Sequence, residues 1–435
     1  DLEKEQEEKD IILPYIKDQD DSLELMSEAL KNHLSNKDYI YQLPWYMVLG
    51  SDEAGKTSFI NRSNQKFTLT AVERTSKRYM RENSLYQIDW WASDDAILLD
   101  PEGGMIQQLG TERDPEGKIA KGLWSHLLDW INDVRPQRPI NGIILVVDLP
   151  KLIASNHSDR QALAVILRNR IREVTEQFGA RVPVYVVLNK ADLIEGFETF
   201  YSDLKQAERH KNLGFSFTLN TDEQIDNWTK ELSDSYTAFV KEIEEIIFDK
   251  LAGTISQEER ESLYMYARQL SGMQNILLQF ISDILESDRF TTTPYVRGVY
   301  FSSIFQEGIP MDFYQAAISK QFDLPHVVPS YLPERSQRTY FTHNFFQNII
   351  YPEAGLVSDN EKEIRRSKRK FILGAIAMAV CGICVLATWQ NYFYQNKTTS
   401  VKILKLTEEF RQMNISQSMD PTGRNLLKPL NILRQ

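Results

Sequence analysis

Gly50-Ser51-Asp52-Glu53-Ala54-Gly55-Lys56-Thr57 has the form G-x-x-x-x-G-K-[ST], follows the apolar run Leu43 to Leu49, and opens a predicted helix from Ser58 onward. Glycines at these places let backbone N–H groups wrap an anion, a lysine reaches the outer phosphates, and a hydroxyl at a helix N-terminus can hold Mg²⁺. Gly50, Gly55, Lys56, Thr57 and Ser58 are therefore candidate phosphate-binding residues. The flanking strand and helix set this stretch apart from a chance glycine-rich turn.

Two further stretches in the expected order turn one motif into a set. After Ala96-Ile97-Leu98-Leu99 comes Asp100-Pro101-Glu102-Gly103, a D-x-x-G loop of the kind that senses a terminal phosphate through Mg²⁺ and a backbone amide. Val184 to Leu188 runs into Asn189-Lys190-Ala191-Asp192, an N-K-x-D loop. Its aspartate can accept the two N–H groups of a guanine edge while Asn189 and Lys190 brace neighbouring loops. The expected cofactor is GTP, or ATP, with Mg²⁺ held by Thr57 and Asp100. The base stays open, because the serines at Ser302-Ser303, which would back it, are placed by spacing alone.

The chain has 435 residues, room for two or three domains, and a formal charge of -11, which argues against general nucleic-acid binding. It opens Asp1-Leu2-Glu3-Lys4 with no signal-peptide character, as expected of a fragment whose N-terminus lies upstream. Phe371 to Trp389 carries no charge and is long enough, as a helix, to cross about 30 Å of hydrocarbon. Before it stand Lys362, Arg365, Arg366, Lys368, Arg369 and Lys370, and after it Tyr392-Phe393-Tyr394. The positive-inside rule then predicts residues 1–370 on the cytoplasmic side and those after 394 outside. Cys381 and Cys384, the only cysteines, fall within this span with no histidine or carboxylate nearby and read as small apolar fillers.

The pattern between these landmarks is α/β. Asn141 to Leu149 and Val182 to Leu188 are near-continuous apolar runs, as in central strands buried on both faces, with Val165 to Phe178 as crossover helix. The predicted fold is a P-loop NTPase (small-GTPase-like) doubly wound sheet with inserted and appended helical regions and one transmembrane helix. Glu223 to Leu251 and Gln257 to Glu286 read as two amphipathic helices, and strand character returns only at Tyr295 to Phe301. The expected organisation is an acidic helical segment 1–36, an NTPase-like domain 37–204, a helical insertion 205–292, and a last strand with helical extension 293–360. A basic juxtamembrane segment 361–370, the span 371–389 and a periplasmic stub 390–435 follow. The inserted helices, pictured as projecting from the sheet, are the expected partner surface.

Further stretches carry a resemblance: Pro44-Trp45-Tyr46, Trp90-Trp91, Arg297-Gly298-Val299-Tyr300-Phe301, Gln306-Glu307-Gly308, and Phe345-Phe346-Gln347 through Pro352-Glu353-Ala354-Gly355-Leu356 before the span. In this order, over roughly residues 40 to 390, the chain resembles the IcmF/TssM family of inner-membrane proteins of type VI and Dot/Icm type IVB secretion machines, with a lean to the type IVB branch. The resemblance implies a membrane hairpin upstream, a periplasmic region downstream, a DotU/TssL-type inner-membrane partner and other secretion-complex subunits.

The motifs depart from family habit where hydrolysis would occur. Relatives often have D-T-A-G where this chain has Asp100-Pro101-Glu102-Gly103, and Glu102 would repel a terminal phosphate unless it turns outward. A water-positioning glutamine would fall at Gly104, with Gln107 and Gln108 only near in sequence; no arginine finger can be named, and Asp52 and Glu53 add negative charge inside the loop. Catalytic residues are unassigned, and any NTPase activity is expected to be slow. Three roles compete: a structural scaffold carrying a nucleotide-type domain, a nucleotide-driven switch controlling assembly, and a membrane-tethered signalling GTPase.

Overall fold

A computed structural model describes residues 2–34, 39–63, 65–70, 88–108, 115–218, 227–253, 256–285, 294–304, 339–358, 360–413 and 422–434. These fall into two units, 1–363 and 364–435. The first is built on a sheet of β1 (Trp45–Leu49), β2 (Phe67–Thr70), β3 (Ile88–Ser93), β4 (Ile97–Pro101), β5 (Gly142–Asp148), β6 (Pro183–Asn189), β7 (Leu213–Ser216) and β8 (Tyr295–Phe301). Their order is β2-β3-β4-β1-β5-β6-β8-β7. The five central strands are parallel, whereas β2, β3 and β7 run antiparallel at the edges.

Every residue of β1, β4, β5 and β6 is buried, because helices cover both faces and leave no solvent side for polar residues. Alternation along β1 shows the two layers: Trp45, Met47 and Leu49 enter the larger core, Tyr46 and Val48 the smaller. Helices Leu2–His33, Pro115–Val134 and His157–Phe178 furnish the larger core; Leu23, Met26 and Leu30 of the N-terminal helix lie on it. The crossover helix starts earlier than its apolar pattern because Asn156 Oδ1 accepts from Asp159 N at 2.8 Å, and it stops at Gly179, which takes φ 57°.

The smaller core packs Phe59 and Ile60 against Phe345, Phe346 and Ile350. Glu353 fixes this segment: its carboxylate takes Arg297 Nε at 2.8 Å and Nη2 at 2.5 Å, with the Tyr185 hydroxyl at 2.7 Å. Arg297 and Glu353 both stand in the stretches that carried the family resemblance, and their bidentate pair binds β8 to the segment ahead of residue 361.

Two expectations change. Strand character does not wait for Tyr295: Leu213–Ser216 forms β7, pairing antiparallel with β8, too short and too mixed in polarity to stand out by alternation. The helices Asn227–Leu251 and Gln257–Leu285 do not project. Trp228, Leu232, Tyr236, Leu263, Tyr266 and Leu270 join the same core as Leu167 and Val174 of the crossover helix. The apolar faces of these two helices pack against each other, and the second of them also packs on the crossover helix. Residues 223–226 and 286, the ends of the predicted helices, lie outside the described residues, as do Gln306-Glu307-Gly308.

The helix Glu361–Gln412, all but its first three residues in the second unit, runs unbroken through the basic segment, the uncharged stretch and beyond it. It is long and apolar enough to cross a membrane, and none of its apolar window is buried. Cys381 and Cys384 are exposed along it.

Candidate functional site

The three motifs meet at the carboxyl ends of β1, β4 and β6. Gly55 takes φ 81° and turns the chain into the six-residue helix Lys56–Asn61. A Cβ there would come within 2.6 Å of Asn189 Nδ2, and one at Gly50 within 2.6 Å of Val146 O, so both glycines are required by close approach. Asn189 is fully buried and its Nδ2 donates to Ala54 O at 2.9 Å. Lys190, held at φ 64°, donates from Nζ to Glu53 O at 2.5 Å and to Asp148 Oδ2 at 2.6 Å. Asn189 and Lys190 thus brace the phosphate loop in the manner expected of N-K-x-D. Asp192 is buried three residues on, and Ala191 N donates to Ser302 O at 3.1 Å, which places the serine loop behind this motif.

Lys56, Thr57 and Asp100 form the centre. Thr57 Oγ1 donates to Asp100 Oδ2 at 3.0 Å, and Lys56 Nζ stands 3.6 Å from Asp100 Oδ1 with both side chains almost wholly buried. Burial pushes the Asp100 carboxyl up to about 7; Lys56 and the Thr57 hydrogen bond pull it down, while Asp89 and Glu102 add to the rise. Glu102 is raised as well, by burial, with Lys56 opposing and Asp89 and Asp52 reinforcing. Asp100 and Glu102 therefore compete for one ammonium.

The two acids inside the loop part company. Glu53, at φ 63°, turns its carboxylate outward to within 4.0 Å of Lys151 Nζ, so it does not burden the cradle as expected. Asp52 turns inward: a Cβ on Gly103 would lie 1.8 Å from Asp52 Oδ1 and 2.5 Å from Asp52 N. The glycine of D-x-x-G is thus needed for contact with the loop's own carboxylate, on the ground a terminal phosphate would use. Glu102 stays within the field of the site, at the start of the short helix Gly103–Gln107. Ser58 faces solvent, and Gln107 lies a full turn beyond Gly103.

The donors suit Mg²⁺ in kind, being a hydroxyl and a carboxylate whose Oδ1 is buried with no hydrogen-bond partner. Among the described residues no group of three or more His, Cys, Asp or Glu could hold a metal. Phosphate oxygens and water would have to complete a shell around Thr57 and Asp100. The backbone cradle fits a phosphate chain; the charge around it fits one only with a divalent cation.

Residues 118–379 match the family model described as the IcmF-related N-terminal domain. The chain belongs to this family. The IcmF-related match starts within helix Pro115–Val134 and ends inside helix Glu361–Gln412, so it takes in β5 to β8, the Glu353 segment and the first part of the uncharged stretch. The chain is also 27% identical over 413 residues to the type VI secretion system component TssM1 of Pseudomonas aeruginosa, an alignment covering 94% of this chain and 36% of that protein. The chain therefore spans about a third of its relative's length.

Among solved structures, similarity is found to an ADP-ribosylation factor-like GTP-binding protein (small COPII coat GTPase SAR1) from Encephalitozoon cuniculi in complex with GDP, at 21% identity, 45% of this chain, 70% of that chain and TM-score 0.21. The GDP-bound G-domain of FeoB from S. thermophilus gives 14% identity, 56% of this chain, 98% of that one and TM-score 0.21. Likeness at this level adds nothing to what the strand order itself shows.

Proposed function

We propose that the chain is the cytoplasmic body and membrane anchor of an inner-membrane scaffold in a type VI or type IVB secretion machine, docking a DotU/TssL-type partner and other subunits. The observation that carries this reading is the family match running through the α/β body into an exposed apolar helix. The basic residues before Phe371 support an orientation with residues 1–370 in the cytoplasm and those after 394 in the periplasm. In cells, the full-length protein is expected in the inner-membrane fraction and to co-purify with the DotU/TssL-type subunit; recovery from the soluble fraction without that subunit would sink the scaffold.

Nucleotide binding accompanies this role. Gly50, Gly55 and Lys56 would hold the phosphates of GTP or ATP, Thr57 and Asp100 the Mg²⁺ between them, and Asn189 and Asp192 the base side. When bound, the cation would supply charge to offset Asp52, Asp100 and Glu102. The contacts Lys56–Asp100 and Thr57–Asp100, which tie the phosphate loop to the D-x-x-G loop, support the switch reading: a terminal phosphate would have to displace Asp52 from Gly103 and so move both loops. Hydrolysis is expected below about 10⁻² s⁻¹, since Gly104 offers no water-positioning side chain. Lys56→Ala with unchanged complex assembly and secretion at normal protein level would leave the scaffold and remove the switch.

A further inference from the structure

At the amino ends of β1 and β5, on the edge of the sheet opposite the phosphate loop, lies a cavity of about 460 Å³. Such a volume is ordinary for a small-molecule site. Tyr41, Leu43, Arg135, Arg138, Asn141 and Gly355 are among its walls, and among the described residues no acid lines it. In a chain with 61 Asp and Glu against 50 Lys and Arg, that is a local inversion of sign.

Arg135 is the anomaly within it. The residue is 1% exposed, and its Nε and Nη1 are buried with no hydrogen-bond partner. The guanidinium sits over the rings of Trp45 at 4.8 Å and Tyr41 at 5.2 Å, and Nη2 makes only a long contact, 3.4 Å, to Asn141 Oδ1. Aromatic faces recover part of the lost hydration but supply no countercharge and no acceptor in the plane of the fork. Burial lowers the Arg135 pKa; Tyr41 opposes the shift and Arg138 adds to it. A buried cation with two unsatisfied donors and no countercharge among the described residues is a costly element that an arriving anion would relieve.

Asn141 connects the cavity to the segment that leads out of the body. Its Oδ1 accepts from Trp45 N at 3.0 Å and its Nδ2 donates to Ala354 O at 2.8 Å. Asn360, next to the start of helix Glu361–Gln412, donates from N to Gln137 O at 3.0 Å and from Nδ2 to Pro136 O at 3.2 Å. Fifteen residues of chain separate Gly355 from Phe371, and Arg365, Arg366, Lys368, Arg369 and Lys370 lie among them.

We propose that this cavity is a phosphate-binding site in which Arg135 is the principal donor, Arg138 adds charge, and the Tyr41 ring, 40% exposed, is the wall an entering oxyanion displaces. The phosphate comes from a free solute or from a phospholipid headgroup, and the site clamps the 135–141 turn to the 354–360 segment. It is separate from the phosphate loop and stands whether or not that loop binds nucleotide.

The test uses the full chain in neutral detergent and in nanodiscs. Inorganic phosphate at constant ionic strength should raise the melting temperature of wild-type protein by about 3 °C over chloride and slow hydrogen exchange in peptides covering 135–141 and 354–358. Arg135→Met should lose the protection of those peptides, while any phosphate effect at Lys56 is common to both proteins. Arg135→Lys, which keeps the charge without the fork, should bind about tenfold more weakly. A response in detergent identifies a solute phosphate; one seen only in phosphatidylglycerol discs and absent from phosphatidylcholine discs identifies a headgroup. No protection in either setting, protection retained in Arg135→Met, or unchanged affinity in Arg135→Lys overturns the proposal.

Discussion

The two edges of the central sheet carry opposite electrostatic faults. At the carboxyl ends of β1 and β4 one buried ammonium, Lys56, is shared between Asp100 and Glu102, with Asp89 and Asp52 adding negative charge around them. At the amino ends of β1 and β5 one buried guanidinium, Arg135, has no carboxylate beside it among the described residues. The lesson is that burial alone does not grade a charge. Lys56 compensates an acid that would otherwise be stranded, whereas Arg135 is stranded itself, so the same kind of substitution should act differently at each edge.

The largest expected effect is at the crowded edge. Lys56→Met leaves Asp100 buried without its cation and should cost about 3 kcal/mol in chemical denaturation at pH 8. Asp100 sits near pH 7 in the folded protein, above its ordinary carboxylate range. A raised pKa means its protonated form is favoured on folding. Its stabilising contribution is full below about pH 4 and is lost as pH rises through 7, with a slope of up to about 1.4 kcal/mol per pH unit. The cost of Lys56→Met should therefore shrink below about pH 6, and a pH-independent cost would show that the ion pair is not its origin. Next in size is Gly103→Ala, which drives a methyl into Asp52 and should cost about 2 kcal/mol in thermal melts, only partly restored by Asp52→Gly, which removes the carboxylate but leaves the Asp52 backbone N 2.5 Å from the added carbon. Absence of any rescue would assign the whole cost to the Asp52 backbone contact and none to its carboxylate. The smallest effect belongs to the other edge: in phosphate-free buffer Arg135→Met should stay within about 1 kcal/mol of wild type, the lost ring contacts offsetting the relieved desolvation. A loss comparable to that of Lys56→Met would erase the contrast between the two edges.

The central parallel strands were legible because burial on both faces writes itself as unbroken apolar runs, as in Asn141 to Leu149. The phosphate-loop motifs were legible because their backbone demands glycine and their braces demand Asn189 and Lys190, both now seen holding Ala54 and Glu53. Less visible was anything set by approach between distant segments. Nothing in Leu213-Gly214-Phe215-Ser216 announces an edge strand until β8 is beside it. The inward turn of Asp52 and the outward turn of Glu53 depend on one positive φ, which two adjacent acids in a sequence do not disclose. Arg135 lies in an ordinary basic stretch, Arg135-Pro136-Gln137-Arg138, and only its surroundings make it exceptional. Arg297 and Glu353 were quoted as separate family stretches; the signal that joins them is that one is a lone cation in an apolar strand and the other a lone acid in an aromatic segment.

The helix Glu361–Gln412 is 52 residues long, and a bilayer consumes only about 20 of them. If Phe371 to Trp389 lies in lipid, the 23 residues from Gln390 to Gln412 form a stiff mast roughly 35 Å tall on the far side. Whatever is joined beyond it would be held clear of the headgroups by a single hydrogen-bonded rod.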